Sequence, residues 1–215
     1  EQVNRIGVGR ITLGVRTLRT LLRATGAVVE EFTDANRRGP AYARNELLHR
    51  LYVAGCDHIF LFDDDCYPVM PGWAEYFLAQ ASAHGLPYLG LPEIFKSRLL
   101  KVESEMGWWD SMIGCFNFQT RSMLEQVGYY NEACHTYGYE DSGRNDRVRR
   151  ILGRGGMPSP IRASAYIHSE DVFAEHPAPN MTVEEKRAAI EANRPIWQAE
   201  LDSEQLYYPY PRASA

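Results

Sequence analysis

The stretch that most constrains this chain is Ile59-Phe60-Leu61-Phe62-Asp63-Asp64-Asp65-Cys66-Tyr67-Pro68, where an uncharged run of bulky side chains stops abruptly in three carboxylates. A short apolar run of this kind fits a strand buried on both faces, and acids in its continuation leave the core together at the strand's carboxyl end. Hard divalent cations take oxygen ligands, and Asp63 and Asp65 both face a metal readily once the chain leaves strand geometry. A solvated acidic turn closed by Pro68 fits the same residues. Spacing alone leaves the two open.

The chain ahead of this run alternates. Ile6, Val8 and Ile11 predict a first strand over residues 5–12. After Gly14, Val15, Leu18, Leu21 and Leu22 predict a helix with Arg16, Arg19 and Arg23 outside its apolar stripe and Gly26 as its stop. Gly7-Val8-Gly9 lies before or within the strand instead of opening a helix and is a poor dinucleotide fingerprint. Residues 27–32 predict a second strand ending in Thr33-Asp34-Ala35-Asn36, and Gly39-Pro40 opens a helix burying Ala43, Leu47, Leu48 and Leu51. A helix over 72–84 and a strand over 88–91 continue the pattern. Such alternation predicts an α/β fold with a parallel sheet, whose ligands bind outside the carboxyl ends of the strands, the edge on which Asp34 and Asp63 to Asp65 fall.

From Pro92 to Trp109 the periodicity weakens, which predicts a connection or hairpin crossing the site face. Trp108-Trp109 precedes an expected strand over 112–118 and a helix over 121–127 closed by Gly128. An exposed tryptophan offers a flat apolar face and an N–H donor to a sugar ring or base, and one of this pair is expected to be core. Tyr137-Gly138-Tyr139-Glu140-Asp141 leads into a helix with Val148, Ile151 and Leu152 inward and Arg147, Arg150 and Arg154 along a face read as solvated. Carboxylates at a helix start are stabilised as anions by the dipole and free N–H groups, so capping alone is one account of Glu140 and Asp141. Residues 161–167 read as a last strand ending in His168-Ser169-Glu170-Asp171. Thr182-Val183-Glu184-Glu185 is a capping box for a helix reaching toward Leu206 and broken or bent near Pro195, and Tyr207-Tyr208-Pro209-Tyr210-Pro211 reads as extended.

Composition narrows the function classes. With 215 residues and 45% hydrophobic side chains, one sizeable α/β domain is expected, and no stretch is long and apolar enough to span a membrane. Cysteines 56, 66, 115 and 134 lack the spacing of a zinc site or disulfide framework, so a cytoplasmic setting is expected. A net charge of -5 argues against a protein-wide phosphate-binding surface.

The order of these signals resembles the GT-A glycosyltransferases, especially the family 2 type, across roughly residues 5 to 170. Ile11-Thr12 followed by Arg16 resembles that family's first strand and the arginine after it, and Gly39-Pro40-Ala41-Tyr42-Ala43-Arg44-Asn45 its glycine-to-ARN segment. Phe62-Asp63-Asp64-Asp65 resembles the DxD metal motif. Val127-Gly128-Tyr129-Tyr130-Asn131-Glu132, followed by Tyr137-Gly138-Tyr139-Glu140-Asp141, resembles the vGgfdE…yGxED block and is the most specific match. Two departures stand out: the aspartate-rich turn after the second strand is represented by Asp34 alone, and Cys66 follows Asp65 where relatives often carry another acid.

The resemblance implies a GT-A, Rossmann-like three-layer α/β/α fold with a mostly parallel central sheet over residues 1–170. Residues 171–215 would add a C-terminal helix and extended tail packed on the same domain. It implies transfer of a sugar from a UDP- or GDP-sugar to an acceptor hydroxyl with Mg²⁺ or Mn²⁺, by an inverting single displacement. Asp65 and His168 would be metal ligands, with Asp63 on the ribose or on the metal through water. Asp64 would touch the donor sugar, Asp34 the base, Arg44 the donor or the acidic strand, and Arg16 would lie on the donor side. Asp141 would be the general base, Glu140 would hold the acceptor or donor sugar, and Trp108 and Trp109 would flank the acceptor, which is a glycan, lipid-linked sugar, protein or nucleic acid base. A sugar nucleotidyltransferase is the alternative enzyme, although Leu13-Gly14-Val15-Arg16 is a poor version of its glycine-rich phosphate loop. A catalytically inactive carbohydrate- or nucleotide-binding module is the non-enzymatic alternative, and the intact acids and His168 speak against it.

Overall fold

A computed structural model describes residues 5–11, 26–36, 38–93, 96–169 and 181–212. Its elements along the chain are β1 (Ile6–Ile11), β2 (Val28–Phe32), α1 (Pro40–Val53), β3 (His58–Phe62), β4 (Cys66–Pro68), α2 (Trp73–His84), β5 (Tyr88–Leu91), β6 (Leu99–Glu103) and β7 (Met106–Trp109). They continue with β8 (Ile113–Thr120), α3 (Arg121–Val127), α4 (Glu140–Leu152), β9 (Met157–Pro160), α5 (Ala163–Tyr166), β10 (Ile167–Ser169) and α6 (Val183–Asp202). The helix expected over Val15 to Leu22, with Arg16, lies outside the described residues.

The apolar run before the acids is β3, the middle strand of a sheet ordered β2-β1-β3-β8-β5. β1 is parallel to β2 and to β3, whereas β8 is antiparallel to β3 and β5, so four strands share one direction and β8 opposes them. Alternation along β3 feeds two cores. Ile59 and Leu61 pack with Leu47, Leu48 and Leu51 of α1. Phe60 and Phe62 pack with Trp73 and Phe77 of α2 and with Phe116 and Phe118 of β8. Each such buried side chain contributes about 1.5–3 kcal/mol, which anchors β3 firmly next to the site. Gly7 and Gly9 belong to this packing: a Cβ at Gly7 would lie 2.7 Å from the Cys56 sulfur and one at Gly9 2.8 Å from Leu61, so their bareness lets neighbouring side chains settle on β1.

Two smaller sheets stand beyond the main one. β10 pairs antiparallel with β4, and β6-β7-β9 form an antiparallel set in which β6 and β7 are the hairpin expected between Pro92 and Trp109. The last strand differs from the expectation. Residues 161–162 turn, α5 follows, and only Ile167 to Ser169 are extended, while an additional strand occupies Met157–Pro160. Pro158 and Pro160 lack N–H donors and suit a strand only at an edge, which is where β9 lies. α6 also differs, because it runs through Pro195 without a break. It opens on the expected capping box, with Glu185 N–H donating to Thr182 Oγ1 at 3.1 Å and Thr182 N–H to Glu185 Oε2 at 2.7 Å.

Candidate active site

The three acids form the turn between β3 and β4. Asp63 N–H donates to the Cys115 carbonyl at 2.8 Å, extending the β3–β8 pairing by one residue, and Cys66 N–H closes the turn onto the Asp63 carbonyl at 3.3 Å. The chain then enters β4, where Tyr67 lies opposite His168 and Cys66 opposite Ser169. The main-chain ladder thus brings His168 to within two residues, in register, of Asp65, although the two are far apart in sequence.

α1 delivers the opposing charge. Its first turn leaves the same sheet edge, and its buried face carries Arg44 and Asn45. Arg44, 4% exposed, donates from Nη2 to Asp63 Oδ2 at 2.6 Å and from Nε to Oδ1 at 3.2 Å. Its Nη1 reaches Glu140 Oε1 at 3.4 Å. Asp141 completes the group from above Gly114 of β8, where a Cβ would lie 2.7 Å from Asp141 Oδ2 and 2.9 Å from Arg44 Nη2. One guanidinium therefore ties the strand-end acid to the first turn of α4, over a strand position bare enough to admit both.

Burial sets the electrostatics. It pushes the Arg44 guanidinium down, but the charges of Asp63 and Glu140 and the hydrogen bonds to Asp63 more than reverse this and hold it above its ordinary value. Burial pushes Glu140 up and the Asp141 charge adds to it, with Arg44 pulling back. Asp141 is raised by burial, and again Arg44 opposes. Glu140 Oε2 is buried without a hydrogen-bond partner among the described residues. A desolvated carboxylate raised in this way is a stronger proton acceptor than one in water.

The segment before α4 is propped from afar. Thr136 and Tyr139 have φ of 66° and 68°, a region that side-chain-bearing residues rarely adopt. Asn193 of α6 donates to the carbonyls of His135, Tyr137 and Gly138 at 2.8, 3.0 and 2.9 Å. Trp197 stacks on Tyr139 with centroids 4.6 Å apart. On the other side, Asn45 Nδ2 donates to the Tyr130 carbonyl at 3.0 Å and to Glu132 Oε1 at 2.8 Å, while Tyr130 N–H donates to Asn45 Oδ1 at 2.7 Å. Sequence reasoning missed Asn193, for which no local signal exists, and gave Asn45 and Gly114 no role of their own.

Other expected site residues fall as follows. Asp34, at the end of β2, accepts from Arg38 Nε at 3.2 Å and from Gly39 N–H at 3.1 Å, which fixes the entry to α1. Trp108 is a correction: at 1% exposed it packs into the core and offers no face to an acceptor, whereas Trp109 is half-buried. Arg147 is a second correction, because it is fully buried, ion-paired with Glu200 and donating to the Tyr129 carbonyl at 2.6 Å, with the Tyr208 ring 4.3 Å beneath it. At that position the face expected to be solvated is covered by α6 and the tail, whereas Arg150 and Arg154 are exposed.

Among the described residues, no three His, Cys, Asp or Glu side chains converge to hold a metal ion. The expected ligands are a carboxylate and an imidazole, Asp65 in the turn and His168 on the strand paired with β4, while Asp63 is paired with Arg44. Two such groups are too few for an all-protein cage; Mg²⁺ and Mn²⁺ commonly use one or two protein ligands beside phosphate oxygens. No described helix is long and apolar enough to cross a membrane.

No known family's sequence profile matches the chain, and no curated protein matches it in sequence. Solved structures do match. Staphylococcus aureus TarS 1-349 aligns with a TM-score of 0.53 at 12% identity, over 94% of this chain and 66% of that one. GalNAc-T7 with UDP, GalNAc and Mn²⁺ aligns at 0.52 and 13% identity, over 100% of this chain and 53% of that one. The catalytic domain of Drosophila beta1,4galactosyltransferase 7, in complex with xylobiose, aligns at 0.50 and 11% identity, over 96% and 83%. The chain spans about half to two thirds of the length of the first two. At these identities the likeness is one of fold: a central, largely parallel sheet with helices on both faces, as in GT-A glycosyltransferases.

Proposed function

We propose that the chain transfers a sugar from a nucleoside diphosphate sugar to an acceptor hydroxyl. The observation that carries this reading is the Arg44 bridge, which gathers Asp63, Glu140 and, across Gly114, Asp141 at the carboxyl edge of the sheet. A solvated acidic turn needs no buried arginine, and a helix cap needs no contact with a strand-end acid. The donor is a UDP-sugar by analogy with the fold neighbours solved with UDP or UDP-GlcNAc.

In this reading Asp141 takes the acceptor hydroxyl proton as that oxygen bonds to the sugar's anomeric carbon. The bond from that carbon to the diphosphate breaks, and the diphosphate leaves with the electron pair, so the configuration inverts. Glu140 orients the acceptor or donor sugar, and the Arg44 cation offsets the rise that burial and neighbouring charge impose on both acids. Asp64 touches the donor sugar, Asp63 meets the ribose, and Asp34 and Arg16 serve the donor's base and phosphates. Trp109 stands at the acceptor side. Asp65 and His168 would hold Mn²⁺ or Mg²⁺, which when bound supplies Lewis-acid stabilisation of the leaving diphosphate.

Thermal unfolding with a panel of nucleotide sugars, with and without Mn²⁺, tests the reading. A selective, metal-dependent rise in Tm with one UDP-sugar, weakened in His168→Ala, is the expected result. Equal response to every nucleotide, or none to any, overturns it.

A further inference from the structure

A cavity of about 360 Å³ opens beside the candidate site, lined by Leu91, Leu99, Val102, Trp109, Ile161 and Ile167 among others. Among the described residues no charged side chain lines it, and beside the Trp109 indole its polar side chains are three serines, Ser159, Ser164 and Ser169. Two of its residues connect to the site's own. Ser169 follows His168 on β10, and Leu91 of β5 lies opposite Ile113, the neighbour of Gly114 over which Asp141 rests. Around it Leu99, Val102 and Ile161 are 45%, 51% and 54% exposed, an apolar rim where a surface strand would ordinarily be polar.

We propose that this cavity receives a hydrocarbon group, alkyl, prenyl or aryl, attached close to the hydroxyl that the enzyme glycosylates. The inference rests on the glycosyl-transfer reading for the identity of that hydroxyl. A sugar ring in this space would leave most of its hydroxyls facing Leu, Val, Ile, Trp and Pro, with three serine side chains to meet them, and desolvated hydroxyls without partners oppose binding. A hydrocarbon chain removes apolar surface from water on both sides of the contact, and the volume lies within the range of small-molecule pockets. A second cavity, where Asp110, Asp146 and Arg149 stand among Met112, Met157 and Leu201, mixes charged and apolar side chains, so a lining without charge is particular to the first.

Methyl, butyl and octyl glucoside, each kept below its micelle-forming concentration, are the probes, titrated by calorimetry into the full chain. Octyl glucoside is expected to bind more than about tenfold tighter than methyl glucoside, since each buried methylene adds to affinity. Val102→Asp and Ile161→Asp, at half-exposed positions that the fold tolerates, should bring the three probes to within about threefold of one another. UDP-sugar stabilisation should survive in both variants. Equal affinity across the probes, or an octyl preference that persists in both variants, overturns the inference. So does a wild-type dimer that Val102→Asp makes monomeric, because the rim would then be a contact between copies. Nucleotide-sugar binding without chain-length preference removes this inference alone, whereas chain-length preference without nucleotide-sugar binding upholds the cavity and removes the donor reading. Sedimentation with phosphatidylcholine vesicles, lost in Val102→Asp, assigns the chain to a membrane lipid; octyl binding without sedimentation assigns it to a soluble amphiphile.

Discussion

The two acidic segments of the site are held in opposite ways. Asp63 to Asp65 continue a strand whose four preceding side chains are all 2% exposed or less, and the turn closes on its own main chain. Glu140 and Asp141 follow a segment with two left-handed non-glycine residues that is pinned by Asn193 and Trp197 from a helix some fifty residues further on. The main chain of one acid group is set by its own strand and turn, with Arg44 holding the Asp63 side chain, and that of the other by tertiary contacts. The difference implies that the first tolerates loss of the C-terminal helix contacts and the second does not.

The largest effect expected is on turnover. Asp141→Asn should lower kcat by about 10²–10⁴-fold, the worth of a general base, while UDP affinity measured by calorimetry stays near wild type. Normal turnover in that variant would sink the assignment and remove the reason for the elaborate support of this segment. Next comes Arg44→Met, which leaves buried carboxylates without their cation and joins the two segments no longer. Urea unfolding should show a loss of about 3–5 kcal/mol, and a loss under 1 kcal/mol would mean that the acids relax apart without cost.

Asn193→Ala separates the segments most sharply. It removes the two N–H groups that three carbonyls share and should cost about 1–3 kcal/mol. Hydrogen exchange is expected to rise at residues 135–139 and stay unchanged at 63–66; a rise in both, or in neither, breaks the comparison. The smallest effect is on pH dependence. With Glu140 and Asp141 raised, the metal-free native state holds protons that the unfolded chain has released, so stability falls as pH rises from the ordinary carboxylate range to the raised values. Each group contributes at most about 1.4 kcal/mol per pH unit. Asp141→Asn should flatten that slope, and an unchanged slope would assign it elsewhere.

The same local-versus-tertiary division governs what the sequence disclosed. β3 and its acids were legible because hydrophobic content and sudden charge are properties of adjacent residues, and α1 because Gly39-Pro40 and a helical stripe announce it. Arg147 was misread as solvated because its cover, Glu200 and Tyr208, arrives over fifty residues later. Trp108 and Trp109 look alike in sequence, and only the pairing of β7 between β6 and β9 turns the first inward. β9 was hidden by two prolines that a sheet edge accommodates. Asn193, in mid-helix, carries no motif, because its meaning lies in three carbonyls of another segment.

Gly39 joins the two halves of the site in one further way. Its φ is 104°, and a Cβ there would sit 3.0 Å from the backbone nitrogen of Thr136, within the segment that leads to Glu140. The start of the arginine-bearing helix and the approach to the acid pair therefore share a single van der Waals boundary, with no slack for a methyl group. Mutations on its two sides should be strongly non-additive. An enlargement at position 39 sets the terms for every loop remodelling near position 136, so anyone redesigning this edge of the sheet would have to engineer the two segments as one part.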